Sequence, residues 1–320
     1  MIGLVARRIG FAVTLVFLVS SAGLLLAGAA PGDVTSDMFA AGLSPETIAR
    51  ERERLGLDRP LPEQYAGWLV RVSRLDLGTS LRYQRPVRDL LAERAGNTVM
   101  LGAAALLLAT AIGLPLGVLA GSRRGWLPGV VRTASIVVLS VPPLISSLLF
   151  VLLAARTGWF PVGGLGQPDP DAGWMAAAAD YAWHLTLPML ALALPFAATI
   201  ERLQAEATAR ALAQPHILAA RGRGVGDGRL VWRHALKPAI RPVVAIYGII
   251  IGTLFSGSFA VEIVSSWPGL GSLMYEALRY RDIYLVAGCA AAGSVFLAAG
   301  TLVSDLALAA LDPRLREARG

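Results

Sequence analysis

The chain has 320 residues, of which 55% are hydrophobic and only 16% are charged. A soluble domain carries about 25% charged residues, so this composition argues against a soluble globular enzyme. The single cysteine, Cys289, excludes an intrachain disulfide and a cysteine-based metal cluster. The three histidines, His184, His216 and His234, are too scattered to suggest a metal site. We therefore predict neither a metal nor a cofactor.

Six apolar runs are each long enough to cross the hydrocarbon layer of a membrane. A crossing takes about 20 residues at a rise of about 1.5 Å per residue. We therefore predict an all-α integral membrane protein with six transmembrane helices. The predicted spans are residues 9–30, 98–121, 133–155, 181–200, 242–264 and 283–306.

The first apolar run allows a second interpretation. Arg7 and Arg8 precede it, and Ala27-Gly28-Ala29 resembles the cleavage site of a secretory signal peptide. The run is longer than the apolar region of a usual signal peptide, which has about 7–15 residues. This length favours a retained helix. Cleavage would leave five spans without changing the orientation of the others.

Basic residues are concentrated on one side of the predicted spans. Residues 202–241 have a net charge of +6, whereas residues 31–96 have none and residues 156–180 have −2, from Arg156 against Asp169, Asp171 and Asp180. Cytoplasmic loops are rich in Lys and Arg, so this asymmetry predicts that both termini, 1–8 and 307–320, are cytoplasmic. The net charge of +7 then reflects membrane topology and argues against nucleic acid binding. The basic residues between spans on this side are Arg123, Arg124, Arg132, Arg202, Arg210, Arg221, Arg223, Arg229, Arg233, Lys237 and Arg241.

The three remaining intervals, 31–97, 156–180 and 265–282, are predicted to be extracytoplasmic. In the first, Ser44 and Pro45 are a helix-start signal for a helix that ends at Leu55. A second helix is predicted over Leu61–Arg74, and a segment of this length can form only a small core. We therefore interpret it as a loop that caps the outer face, rather than as a substrate-binding domain. The apolar side of the second helix consists of Leu61, Tyr65, Trp68, Leu69 and Val72.

The long interval 201–241 is predicted to be cytoplasmic. Its pattern indicates a helix over Leu203–Leu218, a turn over Ala219–Gly228 that contains four glycines, and a helix over Arg229–Leu236 that ends near Pro238. Small residues permit close approach of the backbone to another surface. This favours docking to a partner, although contact of a basic loop with anionic lipid headgroups is the alternative.

Charged groups are scarce in the predicted spans. Those present, Glu201, Arg202, Glu262 and Asp305, lie near span ends, where snorkelling or capping is the ordinary explanation. Because no acid lies near the middle of a span, the sequence argues against an ion-coupled secondary carrier. The lack of an acid–base or metal constellation argues against a membrane-bound enzyme, and we predict no catalytic residue.

Several predicted spans contain regularly spaced small residues or internal prolines. Small residues at four-residue intervals permit close helix packing, either within the chain or between subunits. They are Gly113, Gly117 and Gly121 in the second span and Gly248, Gly252 and Ser256 in the fifth. Prolines predict broken or hinged helices. They are Pro115, Pro142, Pro143, Pro188 and Pro195.

An ATP-binding P-loop requires the pattern G-x-x-x-x-G-K-[ST]. The only lysine of the chain is Lys237, which lies between Leu236 and Pro238. The chain therefore has no ordinary P-loop. If ATP drives this protein, another polypeptide hydrolyses it.

Residues 219–242, AARGRGVGDGRLVWRHALKPAIRP, resemble the EAA loop of bacterial ABC-importer permeases, in its dipeptide, oligopeptide and nickel branch. In that loop two alanines and, three residues later, a glycine precede a short helix; Ala219, Ala220 and Gly224 match them. Leu218 departs from the loop's name-giving glutamate, and Pro238 from a usual asparagine. Three further stretches resemble the same branch: residues 55–61 with Tyr65 and 76–80, Glu262 with 267–271, and Asp305 with 311–314.

The resemblance implies a permease subunit with the type I ABC-importer fold, in the cytoplasmic (inner) membrane of a bacterium, working by alternating access. The EAA loop would dock into a groove of an ATPase subunit. The coupling residues implied are Ala219, Ala220, Arg221, Gly222, Gly224, Asp227, Arg229, Arg233 and His234. An outer gate or loop motif is implied at Glu262, Trp267, Pro268, Gly269 and Gly271.

The resemblance also implies partners and a substrate class. The partners are a second homologous permease subunit, two P-loop ATPase subunits, an extracytoplasmic substrate-binding protein and the lipid bilayer. The second permease is either a paralogue or another copy of the chain. Di- and oligopeptides are the expected substrates, and nickel, glutathione and oligosaccharides remain open because a separate binding protein would supply much of the specificity.

Overall fold

A computed structural model of the chain describes residues 2–36, 39, 42–123, 125–166 and 173–311. Some residues used in the sequence predictions lie outside the described residues. They are Arg124, Asp169, Asp171 and the C-terminal stretch 312–314.

The regular secondary structure of the described residues is helical, apart from an isolated antiparallel bridge between Thr79 and Pro86. The helices are α1 (Ile2–Ala29), α2 (Pro45–Leu55), α3 (Leu61–Val72), α4 (Val87–Ser122), α5 (Trp126–Leu139), α6 (Pro143–Thr157), α7 (Gly173–Leu212), α8 (Pro215–Gly222), α9 (Asp227–Arg229), a π-helical segment (Leu230–Ala235), α10 (Leu236–Ala239), α11 (Arg241–Val264), α12 (Leu270–Arg279) and α13 (Ile283–Leu311).

Five helical stretches are long and apolar enough to cross a bilayer: Ala6–Ala29, Val87–Ser122, Gly173–Leu212, Arg241–Val264 and Ile283–Leu306. The third predicted span, 133–155, lies within a pair of helices, α5 and α6, bent by 96°, which confirms the break predicted at Pro142 and Pro143. Proline lacks an N–H and pushes the preceding residue out of the helical region, and Pro142 is extended before Pro143 begins α6. Counted as one broken span, the pair gives six crossings, which agrees with the predicted all-α membrane fold.

The other prolines do not break their helices. α7 runs through Pro188 and Pro195, and α4 runs through Pro115. Membrane helices tolerate proline where neighbouring helices, hydroxyl side chains or local adjustments satisfy the freed backbone groups. α7 has 40 residues, so at about 1.5 Å per residue it is about twice as long as the hydrocarbon layer is thick.

The chain divides into two compact units. The larger consists of Met1–Gly3, Val99–Trp267 and Ala299–Gly320, and the smaller of Leu4–Thr98 and Pro268–Ala298. In the larger unit α7 packs against α5, α6 and α11, and α11 also packs against α6. Their buried core includes Leu101, Ala105, Ala109, Leu192, Ala197, Ile200, Val243, Leu254 and Trp267.

The small-residue stripe of α4 is used inside the larger unit. A Cβ on Gly117 would lie 2.5 Å from the carbonyl oxygen of Glu201, and one on Gly113 or Gly121 would overlap the corresponding carbonyls of Ala197 and Ala205. The two backbones therefore approach closely along the whole stripe. Of the two possibilities that the sequence left open, packing within the chain is the one observed.

The stripe of α11 is occupied in the same way at its first glycine. A Cβ on Gly248 would lie 2.8 Å from Cβ of Ser304, on α13, and the Ser304 hydroxyl donates a hydrogen bond to the carbonyl of Val244 at 3.2 Å. This position is therefore filled by the same chain, as is the stripe on α4.

In the smaller unit, the two predicted short helices are present. Ser44 caps α2, because its side chain accepts a hydrogen bond from the backbone N–H of Thr47, and Pro45 occupies the first turn. The predicted apolar face of α3 is buried around Trp68, which packs with Leu24 of α1 and Ala287 of α13. The face named from the sequence is the packed one: Leu61, Tyr65, Trp68, Leu69 and Val72.

Asp282 holds a loop of the smaller unit to the start of α13. Its buried carboxylate accepts hydrogen bonds from the Ser80 hydroxyl (2.6 Å) and from the backbone N–H groups of Arg82 (3.0 Å) and Leu285 (3.1 Å). Burial raises the pKa of Asp282, and these hydrogen bonds offset part of that increase. The carboxylate is thus both a helix cap and an anchor for residues 80–82.

Candidate functional site

The basic segment, residues 213–240, follows α7 and is the candidate site of the larger unit. The predicted helix Leu203–Leu218 is two helices, because α7 ends at Leu212 and α8 begins at Pro215. Gln214 between them is extended, with φ −68° and ψ 141°. Proline forces this conformation on the residue before it and starts the next helix.

Gly224 ends α8 in a left-handed turn. Its φ is +83°, its N–H donates to the carbonyl of Arg221 at 3.0 Å, and the N–H of Val225 donates to the carbonyl of Ala220 at 3.2 Å. These two hydrogen bonds form a Schellman motif, in which glycine is the favoured residue. The sequence interpretation explained Gly224 by close approach to a partner, whereas the turn alone already requires it.

Three apolar side chains fix the shape of the basic segment. Ile217, Ala220 and Leu230 are buried together, with Val225 packed against them. Ala220 is only 6% exposed, so its side chain packs inside the segment rather than facing outward. A second small cluster ties the segment to α7, and its members are Ala207, Ala211, Ala235 and Ala239.

The helix that follows the turn widens into a π-helix. α9 is followed by π-helical backbone over Leu230–Ala235, and the chain then passes through Pro238 and ends α10 at Ala239. In a regular α-helix, Pro238 would lack an N–H for the carbonyl of His234 and would press against it. A π-turn directly before the proline relieves that contact. At its other end, this helix starts at Asp227, two residues before the predicted start at Arg229.

The outer face of the basic segment, meaning its exposed residues taken together, includes cations and two large apolar side chains. Leu218 is 51% exposed and Trp232 is 58% exposed. Arg221 forms an ion pair with Asp227 at 3.1 Å, so this arginine is engaged inside the segment. Most of the sequence-predicted coupling residues are exposed here: Ala219, Arg221, Gly222, Gly224, Asp227, Arg229, Arg233 and His234. Trp232 was not among them, because nothing in its sequence neighbourhood distinguishes an exposed tryptophan from a packed one.

The predicted outer motif is divided between the two units. In the larger unit, Glu262 and Trp267 are fully buried, and the Trp267 N–H donates to the Glu262 carbonyl at 2.8 Å. The Trp267 ring meets Tyr181 edge-on, with 5.3 Å between the ring centres. The Ser265 carbonyl, between them, accepts a hydrogen bond from the Gly164 N–H at 2.8 Å. These contacts fix the C-terminal end of α11 and the residues directly after it.

In the smaller unit, the rest of the motif starts α12. The Asn97 side chain donates to the Pro268 carbonyl at 2.8 Å, and the Thr98 hydroxyl accepts from the Leu270 N–H at 2.8 Å. Gly269 is the residue before the first turn of α12, and Gly271 is buried within it. The hydroxyl of Thr98 thus satisfies one of the N–H groups that the helix start leaves free.

Glu201 differs from its sequence interpretation, which was snorkelling or capping at a span end. It is 1% exposed and lies inside α7, and its carboxylate accepts a hydrogen bond from the Ser135 hydroxyl at 2.6 Å. Glu262 is fully buried as well, so snorkelling is wrong for both. Arg202, in contrast, is exposed. The partner of Glu201 is on α5, and a sequence pattern does not show such a distant pairing.

Comparison with known proteins extends over the whole chain. Residues 113–317 match the family model of the binding-protein-dependent transport system inner membrane component, and residues 1–102 match the N-terminal model of such membrane components. The chain is 30% identical to the di/tripeptide transport system permease protein DppB of Pseudomonas aeruginosa, over 100% of both chains. It is 29% identical to the oligopeptide transport system permease protein AppB of Bacillus subtilis, over 97% of this chain and 98% of that one. With its apolar helices and its matched segments, the chain belongs to the family of binding-protein-dependent transport system inner membrane components.

Proposed function

We propose that this multi-pass membrane protein is the permease subunit of an ATP-driven ABC importer that moves di- and oligopeptides across the bacterial cytoplasmic membrane. The observation that carries the proposal is the exposed outer face of the basic segment, in a chain whose relatives are named as peptide permeases. The buried clusters shape the segment from within, which leaves its outer face available to another protein.

In this proposal both termini and the basic segment are cytoplasmic. The net charge of +6 on residues 202–241 supports that orientation through the positive-inside rule. A periplasmic reporter such as alkaline phosphatase, fused after Ala66, should be active, and one fused after Gly226 should be silent. The opposite pattern would contradict the orientation.

The basic segment would dock into a groove of a cytoplasmic ATPase subunit and transmit its closure to the spans. Trp232 offers apolar contact, and Arg229 and Arg233 offer positive charge, so the groove should be apolar with an acidic rim. The absence of a P-loop in this chain supports two separate ATPase subunits. A second homologous permease and an extracytoplasmic substrate-binding protein complete the proposed assembly, with the outer motif near the external gate.

The proposal is tested by deleting the gene and measuring peptide uptake. The deletion strain should resist toxic di- and oligopeptides and should lose uptake of a labelled peptide, and the wild-type gene should restore both. Unchanged peptide uptake with loss of nickel, glutathione or oligosaccharide uptake would assign the substrate to another class. Transport by the purified chain alone in ATP-free vesicles would overturn the importer proposal and favour an ion-coupled carrier.

A further inference from the structure

An open cavity of about 1560 Å³ lies in the larger unit, beside the basic segment and the neighbouring ends of α4, α5 and α7. Its wall combines two kinds of side chain. One part consists of three exposed arginines, Arg123, Arg132 and Arg202. The other part is apolar and consists of Leu139, Leu203, Leu212 and Leu218.

The acidic side chains of this wall are already engaged. Glu206 pairs with Arg210 at 2.9 Å, and Asp227 pairs with Arg221 at 3.1 Å. Glu201 is buried and accepts the serine hydrogen bond described above. Among the described residues, none of the three cavity arginines forms an ion pair with a carboxylate. The cavity therefore presents positive charge that its own wall does not neutralise.

We propose that this cavity binds the headgroup of an anionic phospholipid. The phosphate would lie among the three arginines, which favour phosphate oxygens because the guanidinium group offers several donors in one plane. The glycerol and the first methylenes of the acyl chains would lie against the leucines. Basic pockets between membrane helices on the cytoplasmic side bind anionic headgroups in this way.

Size and wall chemistry favour a lipid over free phosphate. Inorganic phosphate would use the arginines alone and would leave the apolar wall in contact with water, whereas a phospholipid satisfies both parts. The inference relies on the proposed cytoplasmic orientation of the basic segment but not on the substrate. The reporter fusions described above test that orientation separately.

The test uses the assembled transporter in nanodiscs of equal parts phosphatidylglycerol and phosphatidylcholine. Native mass spectrometry counts the lipids that stay bound after the transporter is released from the nanodisc. The test variant is Arg132→Gln with Arg202→Gln. The control is Arg223→Gln with Lys237→Gln, which makes the same change in net charge at exposed residues outside the cavity wall. A third variant, Arg132→Lys with Arg202→Lys, keeps the charge.

Wild type and control should retain phosphatidylglycerol in preference to phosphatidylcholine. The glutamine variant should bind it roughly 25-fold more weakly, because each basic residue contributes about fivefold near an anionic surface. The lysine variant keeps the charge without the planar donors, so it should recover part of that loss, and this recovery shows that positive charge at these two positions holds the lipid. Equal retention in the test and control variants would overturn the proposal. So would displacement of the lipid by millimolar inorganic phosphate, or by a transported peptide, since the cavity would then be a free-anion site or part of the translocation pathway.

Discussion

The basic segment and the loop that Asp282 anchors are both polar, but they differ in where their polar side chains find partners. In the loop, polar groups find partners within the smaller unit: Asp282 accepts a hydrogen bond from the Ser80 hydroxyl, and the Tyr83 hydroxyl donates one to Glu276. Burial, and after it the hydrogen bond to Glu276, raises the pKa of Tyr83 to about 12. In the basic segment, cations and large apolar side chains face outward. Polar groups of the loop thus have partners within its own unit, whereas the basic segment has an exposed surface that a partner could cover.

The largest contrast is expected between two aspartates. Asp282→Ala leaves three donors, two of them buried, without their acceptor, at a cost of about 3 kcal/mol, and should lower the melting temperature and the amount of protein in the membrane. Asp227→Ala removes an exposed carboxylate and should leave the melting temperature unchanged. Thermal unfolding in detergent, followed by fluorescence-detected size exclusion, measures both. Similar melting curves for the two variants would break the comparison.

Adjacent alanines provide a sharper test within the basic segment. Ala220→Phe should overpack the buried cluster with Ile217 and Leu230 and should destabilise the segment by about 1–3 kcal/mol. Ala219→Phe places the ring on the exposed face, so the protein should stay folded while peptide uptake falls at least tenfold.

Uptake and co-purification of the ATPase subunits separate the two effects. Ala219→Phe should retain normal expression and normal melting but lose ATPase subunits during purification. If Ala219→Phe transports normally with its ATPase subunits bound, the exposed face of α8 is not the docking surface.

Two glycines of the same turn should respond in opposite directions. Gly224→Ala forces a Cβ into left-handed backbone and should cost about 1 kcal/mol. Gly222→Ala lies in the last turn of α8 with open space around it, and should stabilise the helix by a few tenths of a kcal/mol. Proteolysis within residues 213–240 reports both changes, as faster and slower cleavage respectively. A gain in protection for Gly224→Ala would contradict the Schellman assignment.

Local features of this fold were predictable from the sequence, and long-range ones were not. The Ser44 cap and the apolar face of α3 depend on residues a few positions apart, so spacing was sufficient to predict them. Pro215 starts α8, whereas the sequence interpretation extended one helix from Leu203 to Leu218 across it. The contacts Glu201–Ser135 and Asp282–Ser80 join residues far apart in the chain, and their burial depends on helices that pack around them. The exposure of Trp232 is of the same kind, since only the packed structure decides which side of the segment is covered.

The smallest expected effect is a pH dependence from Asp282. Burial raises its pKa above the ordinary value of 3.8, so the folded state binds the proton more tightly than the unfolded state. Its contribution to stability is therefore complete at or below about pH 4 and is lost as the pH rises through the raised pKa. Asp282→Asn cannot titrate, so the melting temperature of wild type minus that of Asp282→Asn should decrease from pH 4 to pH 7. An increase over that range would mean that the hydrogen bonds from Ser80, Arg82 and Leu285 outweigh burial, and the anchored loop would then be stabilised by a carboxylate that prefers its charged form.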